Sequence, residues 1–99
     1  MIVEWSEFAS ANLIELRDYL ARTSSQFADQ LSARILSRTE DLSLFPHFGS
    51  EVPEYTGYGI RELYEHPYRI LYVVERDKIQ VLTVIHSARR LPSAPPISR

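Results

Sequence analysis

Tyr68-Arg69-Ile70-Leu71-Tyr72-Val73-Val74, then Glu75-Arg76-Asp77-Lys78, then Ile79-Gln80-Val81-Leu82-Thr83-Val84-Ile85 is the stretch whose reading decides the fold. Both outer runs are dense in β-branched, aromatic and leucine side chains, and four polar residues link them. Two such runs joined so closely predict an antiparallel hairpin. Upstream, Ile60 to Glu65 predicts a third strand, which reaches the hairpin through His66-Pro67, where proline cannot donate to a ladder and marks a turn or an edge. The strands end in a basic cluster of His86, Arg89 and Arg90.

Working outward, Ile2 to Trp5 predicts a short first strand. Ser6 is a suitable N-cap, with Glu7 in the first turn of the helix that follows. Ala9, Leu13, Leu16 and Leu20 recur at spacings of four, three and four, which predicts an amphipathic helix from about Glu7 to Arg22. Thr23-Ser24-Ser25 breaks it and offers a new cap. Phe27, Leu31, Ile35 and Leu42 then mark the apolar face of a second helix that ends before Pro46. A link of about three residues makes the two helices an antiparallel hairpin. The order is β-α-α-β-β-β: an α+β fold, an antiparallel sheet with an α-helical hairpin packed on one face. His47 to Gly59 is expected to be the one long loop. Residues 1–90 form the expected domain, and the proline-rich 91–99 an extended or mobile tail.

Side chains alternate along a strand, so parity assigns faces. Tyr68, Ile70, Tyr72 and Val74 form an uncharged set that should pack on the helices. Arg69, Leu71, Val73 and Glu75 take the open face. Arg69 is the one charge within a seven-residue apolar run, which makes it a candidate functional residue; the alternative is an ion pair with Glu62 or Glu75. If it lies at the surface, Arg69→Ala costs no more than about 1 kcal/mol. The last strand is apolar on both faces, and parity leaves the side of His86 open. Tyr19, Leu20 and Phe27 cluster near the helix link, where not all can reach the sheet, and such an apolar patch is a candidate partner surface.

A chain of 99 residues holds one small domain, and 44% hydrophobic content is ordinary for a globular one. There is no cysteine, so disulfides and thiolate metal sites are excluded. His47, His66 and His86 lack metal-ligand spacing, and neither a metal nor a cofactor is expected. No apolar run approaches the length of a membrane span and no basic leader precedes the first strand, so the expectation is a cytoplasmic protein with no membrane partner. The formal charge of −2 argues against a generic nucleic-acid coat. Ten of the eleven basic residues are arginine, which favours bidentate contact with carboxylate or phosphate.

Pro46-His47-Phe48-Gly49, Val52-Pro53-Glu54, Ile60-Arg61-Glu62-Leu63, Tyr68-Arg69-Ile70-Leu71-Tyr72 and Val84-Ile85-His86-Ser87-Ala88-Arg89 follow one another in an order that resembles the RelE/ParE superfamily of type II toxin–antitoxin toxins. Length and element order match as well. The resemblance implies one of two activities. RelE-like members are ribosome-dependent mRNA endonucleases, whose site must activate a ribose 2′-hydroxyl and stabilise a scissile phosphate. On that reading Arg69, His86 and Arg89 are catalytic and the partners are ribosome and mRNA. ParE-like members lack the nuclease set and poison DNA gyrase by binding. Glu62 lies where the nucleases carry bases, no tyrosine, lysine or histidine follows Arg90, and the ending Ile85 to Arg89 looks ParE-like. The resemblance therefore leans to a ParE-like gyrase inhibitor that is not an enzyme, with Arg69, His86, Arg89 and Arg90 on the target. A non-toxic, antitoxin-binding relative is the remaining alternative. The cognate antitoxin implied by the resemblance should dock on Tyr19, Leu20 and Phe27, its disordered segment folding onto the toxin as a helix or an added strand.

Overall fold

The computed structural model describes residues 1–97. β1 (Ile2–Trp5) leads into α1 (Glu7–Ala21) and α2 (Ser25–Glu40), which a 3₁₀ turn at Asp41–Ser43 extends. β2 (Ser50–Glu51), a second 3₁₀ turn (Pro53–Tyr55), β3 (Ile60–Glu65), β4 (Tyr68–Val74) and β5 (Lys78–His86) complete the order. No helix among the described residues is long and apolar enough to cross a membrane.

The α+β class and the helical hairpin against the sheet are as expected. The sheet runs β1-β5-β4-β3-β2 and is mixed, because β1 joins the free edge of β5 in parallel, pairing Val3 with Ile79 and Trp5 with Val81. That direction brings the end of β1 to Ser6, whose N–H donates to Val81 O (3.0 Å) and whose Oγ–H donates to Leu82 O (3.2 Å). The same Oγ accepts from Ala9 N (2.9 Å) and so starts α1 where the strand stops. Ser24 caps α2 in the same way, accepting from Phe27 N (3.1 Å). Within the expected irregular loop, Ser50 and Glu51 pair with Glu62 and Arg61 and form the short outer strand.

The principal core lies between helices and sheet. Ala9, Leu31, Ile35 and Leu42 meet Leu63, Tyr68, Ile70, Tyr72, Ile79, Val81 and Val84, with Val3, Trp5, Leu13, Leu16 and Leu20 around them. On α2 the buried stripe is Ala28, Leu31, Ile35 and Thr39, so Phe27, expected on that face, stands outside it and is exposed. Near the loop before β2, Tyr72 is fully buried and its hydroxyl accepts from Gly49 N (2.8 Å). A Cβ on Gly49 would press on the carbonyl oxygen of Glu62 and come within 2.7 Å of that hydroxyl, so only glycine fits.

The far face of the sheet is not open. Val52, Tyr55, Ile60, Leu71, Leu82 and Leu91 form a second, smaller core there, with Val73, Ile85 and Ile97 against it. The expected mobile tail is therefore anchored at its start: Leu91 is buried, and Tyr55 Oη donates to Pro92 O at 2.6 Å. Burying Leu91 removes apolar surface from water, which offsets the cost of ordering the segment. The last two residues of that expected tail, 98–99, lie outside the described residues.

Candidate functional site

Two polar constellations flank the sheet, one on each side. On the far side the register pairs Arg69 with Tyr64 and Leu71 with Glu62, so Glu62 and Arg69 share a face. Arg69 Nε donates to Glu62 Oε1 (2.6 Å), while Nη1 and Nη2 donate to the two oxygens of Glu54 (2.8 and 2.9 Å). Only 11% of the Arg69 side chain is exposed, against 16% for Glu62 and 46% for Glu54. The parity expectation of an open-face arginine is thus corrected: the 53–55 turn closes over it and supplies a carboxylate in bidentate geometry. Hydrogen bonding from Arg69 holds the Glu54 carboxyl down to about 2, and the two carboxylates together raise the guanidinium above its ordinary value. Of the two acids expected to pair with it, Glu62 does so. Glu54 went unrecognised because its approach depends on how residues 52–59 turn back over the sheet.

On the helix side the decisive feature is a bulge in β5. Tyr72 pairs with Val81 and Leu71 with Thr83, so Leu82 is an extra residue in the strand. Ile79 and Val81 face the helices before it, and Leu82 then turns to the second core. Beyond it the alternation resumes one position out of step, with Val84 toward the helices and Ile85 away. His86, opposite Tyr68 in the ladder, consequently joins the helix side and packs edge-on against the Tyr68 ring at 5.3 Å. Asn12 of α1 holds the bulge: its Oδ1 accepts from Thr83 Oγ1 (2.7 Å) and from Val84 N (3.2 Å). The sequence did carry a signal for Asn12, which falls on the buried stripe of α1 between Ala9 and Leu16, where an amide needs a partner.

The basic end follows at once. Ala88 N donates to His86 Nδ1 (3.0 Å), which leaves Nε2 as the nitrogen that carries hydrogen in the neutral ring. Arg89 N donates to His86 O (2.9 Å). Arg89 and Arg90 are exposed and make no ion pair with the described residues. A groove of about 500 Å³ runs between α1, with Phe8, Asn12 and Tyr19, and the Tyr68, His86 and Arg89 end of the sheet.

The expected residues therefore divide. His86 and Arg89 come together in the groove, and Arg90 adjoins them in the chain. Arg69 sits on the opposite face of the sheet from His86 and does not join them. Of the apolar trio, Tyr19 is exposed at the groove and Phe27 is exposed at the start of α2, whereas Leu20 is half-buried and packs on the main core. Leu20 is the fourth residue of the α1 stripe and keeps part of its surface exposed beside Tyr19.

The model of the family described as the ParE toxin of the type II toxin–antitoxin system, parDE, matches residues 3–91. No curated protein sequence matches the chain. A solved structure described as the chromosomal ParDE TA system from P. aeruginosa superposes with a TM-score of 0.73 at 22% identity, covering 87% of this chain and 95% of that one. At that identity it is a likeness of fold.

Proposed function

Because this chain belongs to the ParE toxin family of type II toxin–antitoxin systems, we propose that it acts in the cytoplasm by binding DNA gyrase, without cleaving RNA, and that a cognate antitoxin neutralises it. One observation carries the preference for binding over cleavage: the Arg69 guanidinium is committed to Glu54 and Glu62, on the face of the sheet away from His86. General acid–base cleavage of RNA needs a proton-transfer group and a cationic clamp converging on one phosphate. Arg69 and His86 stand on two surfaces, and an acid faces Arg69 where a clamp would need a base.

On this reading His86, Arg89 and Arg90 make the gyrase contact. Arg69, expected among them, supports the fold around the 53–55 turn instead. Tyr19 and Phe27 receive the antitoxin, whose segment orders on binding. The body of the toxin takes in Leu91 and Pro92, because both hold the second core.

The test pairs two assays of the purified chain: supercoiling of relaxed plasmid by gyrase, and mRNA integrity on translating ribosomes. Loss of supercoiling with intact mRNA is expected. Position-specific mRNA cleavage with unaffected supercoiling overturns the proposal and restores the nuclease reading. For the antitoxin, free partner at about a thousand times its dissociation constant should stabilise the chain by roughly 4 kcal/mol, read as a higher unfolding midpoint.

A further inference from the structure

The groove beside α1 offers a one-sided hydrogen-bonding inventory. Asn12 spends its carbonyl oxygen on Thr83 and Val84, so its amide N–H₂ group is what remains. His86 spends Nδ1 on the N–H of Ala88, so Nε2–H remains. Tyr68 is only 9% exposed, and its hydroxyl, which takes no hydrogen bond from the described residues, is not shut away from solvent but opens into the groove. Arg89 adds an exposed guanidinium. The walls between these groups are the rings of Phe8 and Tyr19, exposed by 60% and 64%. Glu15, exposed on α1, is the one carboxylate of the lining.

A concave, largely apolar site with a few convergent donors selects a ligand that is apolar in body and carries an acceptor, most favourably an ionised one. We propose that the groove is the seat of a partner peptide segment in which an aromatic or aliphatic side chain lies next to a carboxylate. The side chain fills the space between Phe8, Tyr19 and Tyr68. The carboxylate accepts from Tyr68 Oη, His86 Nε2, Asn12 Nδ2 or Arg89. This deepens the proposed function and rests on it: the segment is assigned to the antitoxin. Seated there it covers His86 and Arg89, the residues given to the gyrase contact, so that one acidic-apolar segment neutralises the toxin by occupying its basic end. The complementarity is between a groove whose sheet-end polar groups at Asn12, His86 and Arg89 present donors and an acceptor-bearing chain, and it does not call on Arg69, whose donors are already taken.

The groove chemistry can be tested without the antitoxin. 3-Phenylpropionate, an apolar body with a carboxylate, is titrated into the full chain alongside 3-phenylpropionamide, and the side-chain NMR signals of Asn12 and His86 are followed. Saturable shifts at millimolar concentration are expected, with the amide about tenfold weaker or worse, the loss of a charge-assisted hydrogen bond. Tyr68→Phe, which removes the unpartnered hydroxyl and keeps the ring, should weaken the carboxylate about threefold to tenfold. Leu44→Ser, at an exposed site outside the groove, should change nothing. Equal binding of carboxylate and amide, or no saturable shift, overturns the groove chemistry even if an antitoxin binds the protein. Selective carboxylate binding that persists unchanged in the toxin–antitoxin complex upholds the groove chemistry and overturns the assignment of the segment to the antitoxin.

Discussion

Replacing Arg69 with methionine separates two pictures of this arginine. Methionine keeps an unbranched stem of similar length, so the packing beside Leu71 changes little and the cavity contribution stays small. What is lost is the charge between Glu54 and Glu62. Breaking a fully buried pair by removing one partner costs about 3–5 kcal/mol, whereas an exposed pair contributes about 0.2–1 kcal/mol. Here the guanidinium and Glu62 are mostly shielded and Glu54 is nearly half in water. The expected loss therefore falls between these limits, at about 2–3 kcal/mol, most of it the cost of leaving Glu62 shielded and unpaired. In urea, with the slope unchanged, that moves the midpoint down by about 1–2 M. Double-mutant cycles then divide the triad, and Arg69 should couple to Glu62→Gln by more than about 1 kcal/mol and to Glu54→Gln by less. A cost for Arg69→Met under about 0.5 kcal/mol, or stronger coupling to Glu54, would refute the reasoning and return Arg69 to the accessible surface that parity alone assigns to it.

Gly49→Ala should destabilise the fold by about 2–4 kcal/mol in the same assay, because its Cβ meets backbone at Glu62 and the hydroxyl of buried Tyr72. Asn12→Ala should cost about 2–3 kcal/mol, leaving Thr83 Oγ1 and Val84 N unsatisfied, and the ring-current shift of His86 on Tyr68 should weaken as the bulge relaxes. Glu54 has a folded pKa of about 2 against 4.5, so its contribution is complete above 4.5 and is lost as pH falls toward 2. Solvent screening at a half-exposed carboxylate keeps that contribution to about 1 kcal/mol. Glu54→Gln should lower stability at neutral pH and flatten the acid limb between these values, as followed by urea midpoints. Removing residues 91–99 should expose the second core around Tyr55 and Leu71 and cost about 2–3 kcal/mol, read as a lower midpoint and increased dye binding to apolar surface.

Legibility in the sequence followed the range of the interactions. Ser6 and Ser24 act within three residues of themselves, so the first cap could be read directly and the second placed within Thr23-Ser24-Ser25. The faces of β4 obey strict alternation, so Tyr68, Ile70 and Tyr72 could be assigned to the helices. β5 breaks that alternation at Leu82, and a rule of period two cannot hold across an inserted residue. With both faces of this strand apolar, parity leaves the side of His86 open, and the bulge held by Asn12 decides it. The parallel pairing of β1 and the bond from Tyr55 to Pro92 depend on segments far apart in the chain, and no local pattern carries them. At the candidate site the chemistry-bearing residues could be named from the sequence, but their division between two faces could not. Glu54, the second partner of Arg69, arrives on a turn, where periodicity gives no guidance.

The pairing of β1 with β5 also sets a schedule for synthesis. The first strand leaves the ribosome early but has no neighbour until β5 is made about 75 residues later, roughly 4–15 s at ribosomal rates. During that interval the helical hairpin is complete while its apolar stripe has no sheet to rest on, since β3, β4 and β5 all follow it. The groove, the bulge and the basic end are among the last parts to take shape. The proposed contact residues His86, Arg89 and Arg90 therefore reach their places only after β5 has been made.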